Sequence, residues 1–115
     1  MSDSTNIPGA EALSMATLIT PTEKGIASRV LAKTGGGNVT LFAFDRGQGL
    51  SEHTAPFDAL VLVLAGSMTL TIGGKTVNAV PGTVVRMPAQ VPHALEAPVA
   101  ALVLLVMLKE APAPA

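Results

Sequence analysis

The chain has 115 residues, the length of a single domain, and a net charge of −1, with seven Lys and Arg residues that are scattered singly. This charge pattern excludes the basic surface that nucleic-acid binding requires. The absence of Cys excludes disulfides, thiolate nucleophiles and sulfur-ligated metals. Aromatic residues are limited to three Phe, so aliphatic side chains and Met must fill the core, and the β-branched ones favour strands.

The two ends of the chain predict flexible segments. Residues 1–12 are small, polar and interrupted by Pro and Gly, and residues 110–115 read EAPAPA, which leaves residues 13–109 as the predicted domain. The N-terminal segment lacks the basic and apolar regions of a secretory signal. The longest apolar run, residues 98–108, is shorter than the roughly 20 residues that span a bilayer. We therefore expect a cytoplasmic protein that has no membrane partner.

Turn residues divide the first half of the predicted domain into strands. Three Gly residues at 35–37 separate a predicted strand near residues 26–32 from a second one near residues 38–44. Gly66 ends the apolar run of residues 60–65. No window of a dozen residues keeps the periodicity of a helix, so these segments predict an all-β domain.

The second half of the chain contains two specific turn signals. Gly73 and Gly74 form a two-residue loop between apolar segments, which predicts a type I′ or II′ hairpin. Pro81 and Gly82 predict a type II turn, because Pro presets the first φ and Gly supplies the positive one. A strand at residues 83–87 follows. About eight strands fit the chain, which indicates a β-sandwich or barrel.

Two predicted strands are apolar on both alternating faces. They are the runs LVLVLA at residues 60–65 and ALVLLVML at residues 101–108. A strand with one solvated face should alternate apolar and polar residues, so the outer faces of these strands need a cover. A second copy of the chain would supply it, and we expect a homodimer. The alternative is that the two layers of one sandwich hide both faces.

The two His residues of the chain stand in distinctive sequence contexts. The first context contains Gly47, His53 and Gly66. The second context contains Pro81, Gly82, Pro88, Pro92 and His93. These contexts resemble the two motifs of the cupin superfamily, and the turn between them falls where that family has its inter-motif turn. The resemblance implies an all-β, single-domain cupin-type β-barrel, also described as a double-stranded β-helix or jelly roll.

The resemblance also implies a divalent transition metal as cofactor, with His53 and His93 as ligands. The second His of the family's first motif falls at Ala55, and its usual Glu or Gln falls at Ala59. Neither methyl group can ligate a metal, so the ligand set is incomplete. The alternative is that the two imidazoles hydrogen-bond to each other, to the backbone or to water without a metal.

Oxygen-bearing side chains near the two motifs could complete a metal site together with water. They are Gln48, Ser51, Asp58 and Gln90. Strand alternation predicts that Ser51, His53 and Ala55 line one face, while Asp58 lies one position from the ligand slot and would need a bulge to reach it. Arg86 is either an anion clamp at the pocket or an exposed residue of its strand.

Alanine at the ligand positions also widens the mouth of the barrel. Aliphatic and Met side chains around two imidazoles are typical of a pocket for a small molecule. The candidate pocket residues are His53, His93, Gln48, Ser51, Phe44 and Met87. Phe57, Met68 and Met107 are further candidate walls or plain core residues.

Three functions remain open at this point. The first hypothesis is a small-molecule-binding cupin-like barrel that is non-catalytic or weakly active. The second is a metal-dependent cupin enzyme of the oxygenase, isomerase or lyase type that uses His53 and His93. The third is a structural or regulatory dimerisation module. The sequence contains no G-x-S-x-G elbow and no third residue to orient a Ser–His pair, so it does not predict a hydrolase triad.

Overall fold

The computed structural model describes residues 6–109. In this range the chain is built from strands and one turn of 3₁₀ helix, Met15–Thr17, and it has no α-helix, so the prediction of an all-β fold is confirmed. No helix among these residues is long and apolar enough to cross a membrane. Residues 1–5 and 110–115, which belong to the two predicted flexible segments, lie outside the described residues.

Nine strands form two antiparallel sheets. In chain order the strands are β1 (Ile26–Thr34), β2 (Gly37–Phe44), β3 (Gly49–His53), β4 (Asp58–Ala65), β5 (Met68–Ile72), β6 (Lys75–Ala79), β7 (Val84–Met87), β8 (His93–Glu96) and β9 (Ala101–Leu108). One sheet has the order β1-β2-β9-β4-β7 and the other has the order β3-β8-β5-β6. From β3 onwards the chain passes repeatedly between the sheets, which is the topology of a jelly-roll barrel.

Both turn predictions of the second half are confirmed. Gly73 and Gly74 have φ values of 56° and 83°, and a type I′ turn needs positive φ at both positions. At the second turn Gly82 has φ 86°, and the Thr83 N–H donates to the Val80 carbonyl at 3.1 Å. These turns fix the register of β5 against β6 and the start of β7.

The sequence predicted about eight strands, and the ninth strand, which it did not predict, is β8, His93–Glu96. It has only four residues and follows a loop that contains Pro88 and Pro92, so its own sequence gives little strand signal. It pairs with β3 on one side and with β5 on the other, and these partners define it. Strand β8 lies between β3 and β5, and the His93 side chain is buried in the interior of the barrel.

The core lies between the two sheets. Residues directly opposite each other in a register share a face, so Val63 and Val103 point inward together. Met68 and Leu70 of the other sheet are fully buried against this layer. The aliphatic and Met core expected from the composition is therefore confirmed.

The chain itself covers part of the outer face of the five-stranded sheet. Leu41 pairs with Leu104 on this outer face, yet Leu41 is fully buried. The segment that precedes β1 runs over it, and the Arg29 guanidinium donates to the Leu18 carbonyl at 3.0 Å. The outward side chains of β4 and most of those of β9 are half-buried. The expected homodimer stays a prediction for this remaining face.

Candidate functional site

His53 and His93 meet at one end of the barrel. His53 ends β3 and His93 begins β8, and the two residues are directly paired in the register of these strands. Their Nε2 atoms are 3.1 Å apart, and the rings meet edge to face with centroids 4.4 Å apart. His93 is 3% exposed, whereas His53 is exposed at the rim. The sequence singled out both residues, and the structure brings them together across forty positions of chain.

A bulge in β3 aims His53 at His93. Leu50 pairs with Leu95 and His53 pairs with His93, so three steps along β3 match two steps along β8. Leu50 and His53 therefore line the same side, which strict alternation would forbid. The expectation that Ser51 shares the face of His53 is wrong for this reason, and Ser51 lies in a depression on the outer surface of its sheet.

The backbone fixes the tautomer of each ring. Nδ1 of His53 lies 2.7 Å from the Ser51 carbonyl oxygen, and Nδ1 of His93 lies 3.1 Å from the Val91 carbonyl oxygen. A carbonyl oxygen only accepts, so we assign the proton of each ring to Nδ1. The hydrogen bond between the two Nε2 atoms, 3.1 Å long, therefore needs a further proton on one of them.

Burial keeps His93 neutral. Desolvation is the largest cause that lowers the pKa of His93 below its ordinary value, and the neighbouring His53 lowers it further. The hydrogen bond to the Val91 carbonyl opposes this shift but does not reverse it. His93 is therefore a neutral hydrogen-bond acceptor at pH 7 and above.

The two imidazoles border a cavity of about 220 Å³. Its wall combines side chains from both sheets and the β3–β4 loop: Leu50, His53, Ala55, Phe57, Ala59, Met87, His93, Leu95, Leu105 and Met107. None of these residues is charged, and the imidazoles are their only polar side chains. The predicted residues His53, His93 and Met87 lie in this wall, as do the two alanines at the ligand positions.

The other predicted pocket residues lie elsewhere. Phe44 is buried in the core and borders a separate cavity beneath the segment that precedes β1. Gln48 lies in the β2–β3 turn, where its carbonyl accepts a hydrogen bond from the Ala97 N–H at 2.9 Å. The sequence reasoning missed Leu105, although its position two residues before Met107 on β9 would have indicated the same face.

The oxygen-bearing side chains do not gather around the two imidazoles. Asp58 accepts hydrogen bonds from the Arg86 guanidinium and from the Ala89 N–H, each at 2.8 Å. These bonds, that of Ala89 above all, hold the pKa of Asp58 below its ordinary value. The Arg86 side chain is 59% exposed and does not border the cavity. Of the two alternatives for Arg86, the structure therefore favours an exposed residue of its strand over an anion clamp. Gln90 is exposed in the loop before β8.

Comparison with known proteins adds the family. The family model of the cupin domain matches residues 40–108, which include both His residues and both motif contexts. The chain belongs to the cupin superfamily. A comparison with curated proteins gives no match.

Solved structures agree with this assignment. A conserved protein of unknown function from Streptococcus pyogenes is 34% identical over 97% of this cupin and 98% of that chain, with a TM-score of 0.88. A cupin superfamily protein from Desulfitobacterium hafniense is 28% identical over 95% and 100% of the two chains, with a TM-score of 0.85. A cupin 2 conserved barrel domain protein from Leptotrichia buccalis is 33% identical over 82% of this chain and 46% of that one, with a TM-score of 0.77.

The metal that the cupin fold implies does not fit the residues of this chain. Nδ1 atoms that are anchored on backbone carbonyls and Nε2 atoms that converge, as in His53 and His93, suit metal-binding imidazoles. The other two positions carry the methyl groups of Ala55 and Ala59. Within residues 6–109 no group of three or more His, Cys, Asp or Glu side chains could hold an ion. Two imidazoles fall short of the three or four protein ligands of a resident transition metal.

Proposed function

We propose that this cupin binds a small, largely apolar molecule in the cavity beside His53 and His93. The observation that carries the proposal is the wall itself, which is apolar except for two imidazoles at one end. Apolar walls with a few well-placed polar groups are characteristic of sites for small molecules. The volume of about 220 Å³ lies below the roughly 300–1,000 Å³ of drug-sized pockets, so the ligand is small.

The energetics suit modest affinity. Each buried CH₂ group contributes about 0.8 kcal/mol, so a body of four carbons supplies about 3 kcal/mol. A hydrogen bond adds about 1 kcal/mol, and the sum corresponds to a dissociation constant in the millimolar range. The two imidazoles are the only polar side chains of the wall, and binding needs no further chemistry from them.

Methionine methyl groups provide the test. Met87 and Met107 border the cavity, whereas Met68 is fully buried in the core outside it. In protein labelled with ¹³C at the Met methyl groups, we expect small apolar probes such as benzene to shift the signals of Met87 and Met107 and to leave Met68 in place. The proposal fails if no probe at 10 mM moves the two cavity signals.

A pair of variants locates the binding. Ala59→Leu places three further carbon atoms in the cavity and should abolish the shifts that the probes cause in the Met87 and Met107 signals. Ala79→Leu makes the same change at another buried alanine, which does not border the cavity, and should leave binding intact. If both variants keep their affinity for the probes, the ligand lies elsewhere and the assignment of the cavity is wrong.

A further inference from the structure

One side chain of the β3–β4 loop, that of Phe57, separates the cavity from the surface. Phe57 borders the cavity and also a surface depression, whose other residues are Pro56, Asp58, Ala89, Leu108 and Lys109. Leu50, Leu95 and Met107 border outer depressions too, but they belong to the paired strands β3, β8 and β9. At Phe57 the barrier between the cavity and the depression is therefore a side chain and not a hydrogen-bonded strand.

The chain is anchored on both sides of Phe57. On one side the Ala55 carbonyl accepts a hydrogen bond from the Gln90 N–H at 2.8 Å. On the other side the Asp58 carboxylate accepts one from the Ala89 N–H, also at 2.8 Å. The Phe57 side chain is half-buried between these anchors, and its ring can change rotamer without breaking either hydrogen bond. Movement at this point therefore needs the ring alone and not the loop.

A cation holds the ring in its present position. The Lys109 Nζ atom lies 5.7 Å from the centroid of the Phe57 ring. An ammonium group this close to an aromatic face favours the contact by about two- to five-fold at an exposed site. Asp58, which borders the same depression, is paired with Arg86 at 2.8 Å and leaves Lys109 to the ring.

The other exposed part of the wall, His53, is held by polar contacts. Its Nδ1 atom lies 2.7 Å from the Ser51 carbonyl oxygen, and its Nε2 atom lies 3.1 Å from the Nε2 atom of His93. The ring of Phe57 has no atom that forms a conventional hydrogen bond, so only packing and the contact with Lys109 hold it. Phe57 is thus the part of this rim that moves most easily.

We propose that Phe57 is the gate of the cavity and that Lys109 latches this gate. The proposal rests on the binding function proposed above and adds the route by which a ligand enters, through the depression beside Lys109. When the ring rotates away, the cavity and the depression join, and a small apolar molecule passes between them. The open position is a minor state, populated about a tenth of the time or less, so the gate limits the rate of entry.

Oxidation of Met side chains by hydrogen peroxide tests the gate without any ligand. Met87 borders the cavity and is 3% exposed, Met15 is exposed on the surface, and Met68 is fully buried in the core. Mass spectrometry follows the conversion of each residue to its sulfoxide, with Met15 reporting the activity of the reagent and Met68 the opening of the whole fold. In Phe57→Ala we expect Met87 to be oxidised about ten-fold faster or more, with Met15 and Met68 unchanged.

Matched variants separate the gate from the rest of the wall. Leu105→Ala enlarges the cavity at a paired strand without opening it, so the oxidation rate of Met87 should stay close to that of the parent protein. Lys109→Gln removes the latch and should raise this rate by about two- to five-fold. Lys75→Gln changes an exposed lysine of β6 that does not border the cavity, and the rate should stay unchanged.

Several results would overturn the gate. They are an unchanged oxidation rate of Met87 in Phe57→Ala, a larger acceleration in His53→Ala than in Phe57→Ala, and equal rates in Lys109→Gln and Lys75→Gln. If Phe57→Ala also accelerates the oxidation of Met68, the whole fold has loosened, and Lys109→Gln then decides. That variant removes an exposed side chain without disturbing the core, so an unchanged Met87 rate in it refutes the proposal.

Benzene binding distinguishes this inference from the proposed function. Relaxation of the Met87 methyl signal gives the association and dissociation rate constants of benzene. Loss of a gate raises the association rate constant, whereas loss of a mere wall contact raises only the dissociation rate constant. If benzene binds with the same association rate constant in Phe57→Ala and in the parent protein, the gate fails and the binding function stands. If benzene does not bind but peroxide reaches Met87 faster in Phe57→Ala, the binding function fails and the gate stands.

Discussion

Filling the cavity should stabilise this protein, which is unusual for an enlarged core residue. Ala59 lies between Met87 on one neighbouring strand and Met107 on the other, and its methyl group borders the cavity. Ala59→Leu adds three carbon atoms, which contribute about 2.4 kcal/mol at about 0.8 kcal/mol each. Fixing the Leu side chain costs about 0.5–1 kcal/mol. The free energy of unfolding should therefore rise by about 1.5 kcal/mol.

Urea denaturation of matched variants decides the sign of this effect. Ala79 is also buried, but it packs opposite Met68 and does not border this cavity, so Ala79→Leu should lower the free energy of unfolding by about 1–3 kcal/mol through overpacking. Both values are compared at an unchanged m-value. If Ala59→Leu loses as much stability as Ala79→Leu, the space beside Ala59 cannot accept a side chain and the reasoning is refuted.

Three further perturbations test the loss of stability at acid pH, the turn at Gly66 and the outer face of the five-stranded sheet. The pKa of Asp58 is lowered in the folded state, so the contribution of Asp58 to stability is present above about pH 4 and is lost as the pH falls. Asp58→Asn should therefore lower the urea midpoint more at pH 6 than at pH 2.5, and Arg86→Gln should lower the midpoint less than Asp58→Asn does. Equal losses at both pH values would contradict this assignment. Gly66 has φ 73°, and a Cβ there would collide with a carbonyl oxygen of the β8–β9 loop, whereas Gly74 has φ 83° and open space around it. In the same assay Gly66→Ala should therefore cost about 1–3 kcal/mol more stability than Gly74→Ala. Equal costs would show that the loop moves to accommodate the methyl group. We propose that two copies of the chain associate through the outer face of β4 and β9. Sedimentation at micromolar concentration should then show a dimer that Leu62→Lys dissociates, and a monomeric parent protein would refute the proposal.

The turns of this fold could be predicted because they depend on local backbone demands. Gly73 and Gly74 specify a type I′ hairpin wherever they stand between two strands, and Pro81 with Gly82 specifies the next turn in the same way. The strand β8 could not be predicted, because four residues carry too little pattern. It exists through its hydrogen bonds to β3 and β5, which are separated from it in the sequence.

The site was predictable to the same extent. Counting along the two motifs singled out His53, His93 and the two alanines, and the structure brings all four into one cavity wall. The position of Ser51 was wrong because the bulge in β3 depends on how β3 pairs with β8. Phe44 lies in a strand of the other sheet, and only the packing of the sheets decides which end of the barrel it fills.

The same backbone geometry explains both what the site retains and what it lacks. The carbonyl oxygens of Ser51 and Val91 orient the rings of His53 and His93 whether or not a third ligand exists, because these bonds come from the strands themselves. The methyl groups of Ala55 and Ala59 therefore leave two oriented imidazoles beside an apolar cavity. The strands thus hold the two imidazoles in place at one end of the cavity.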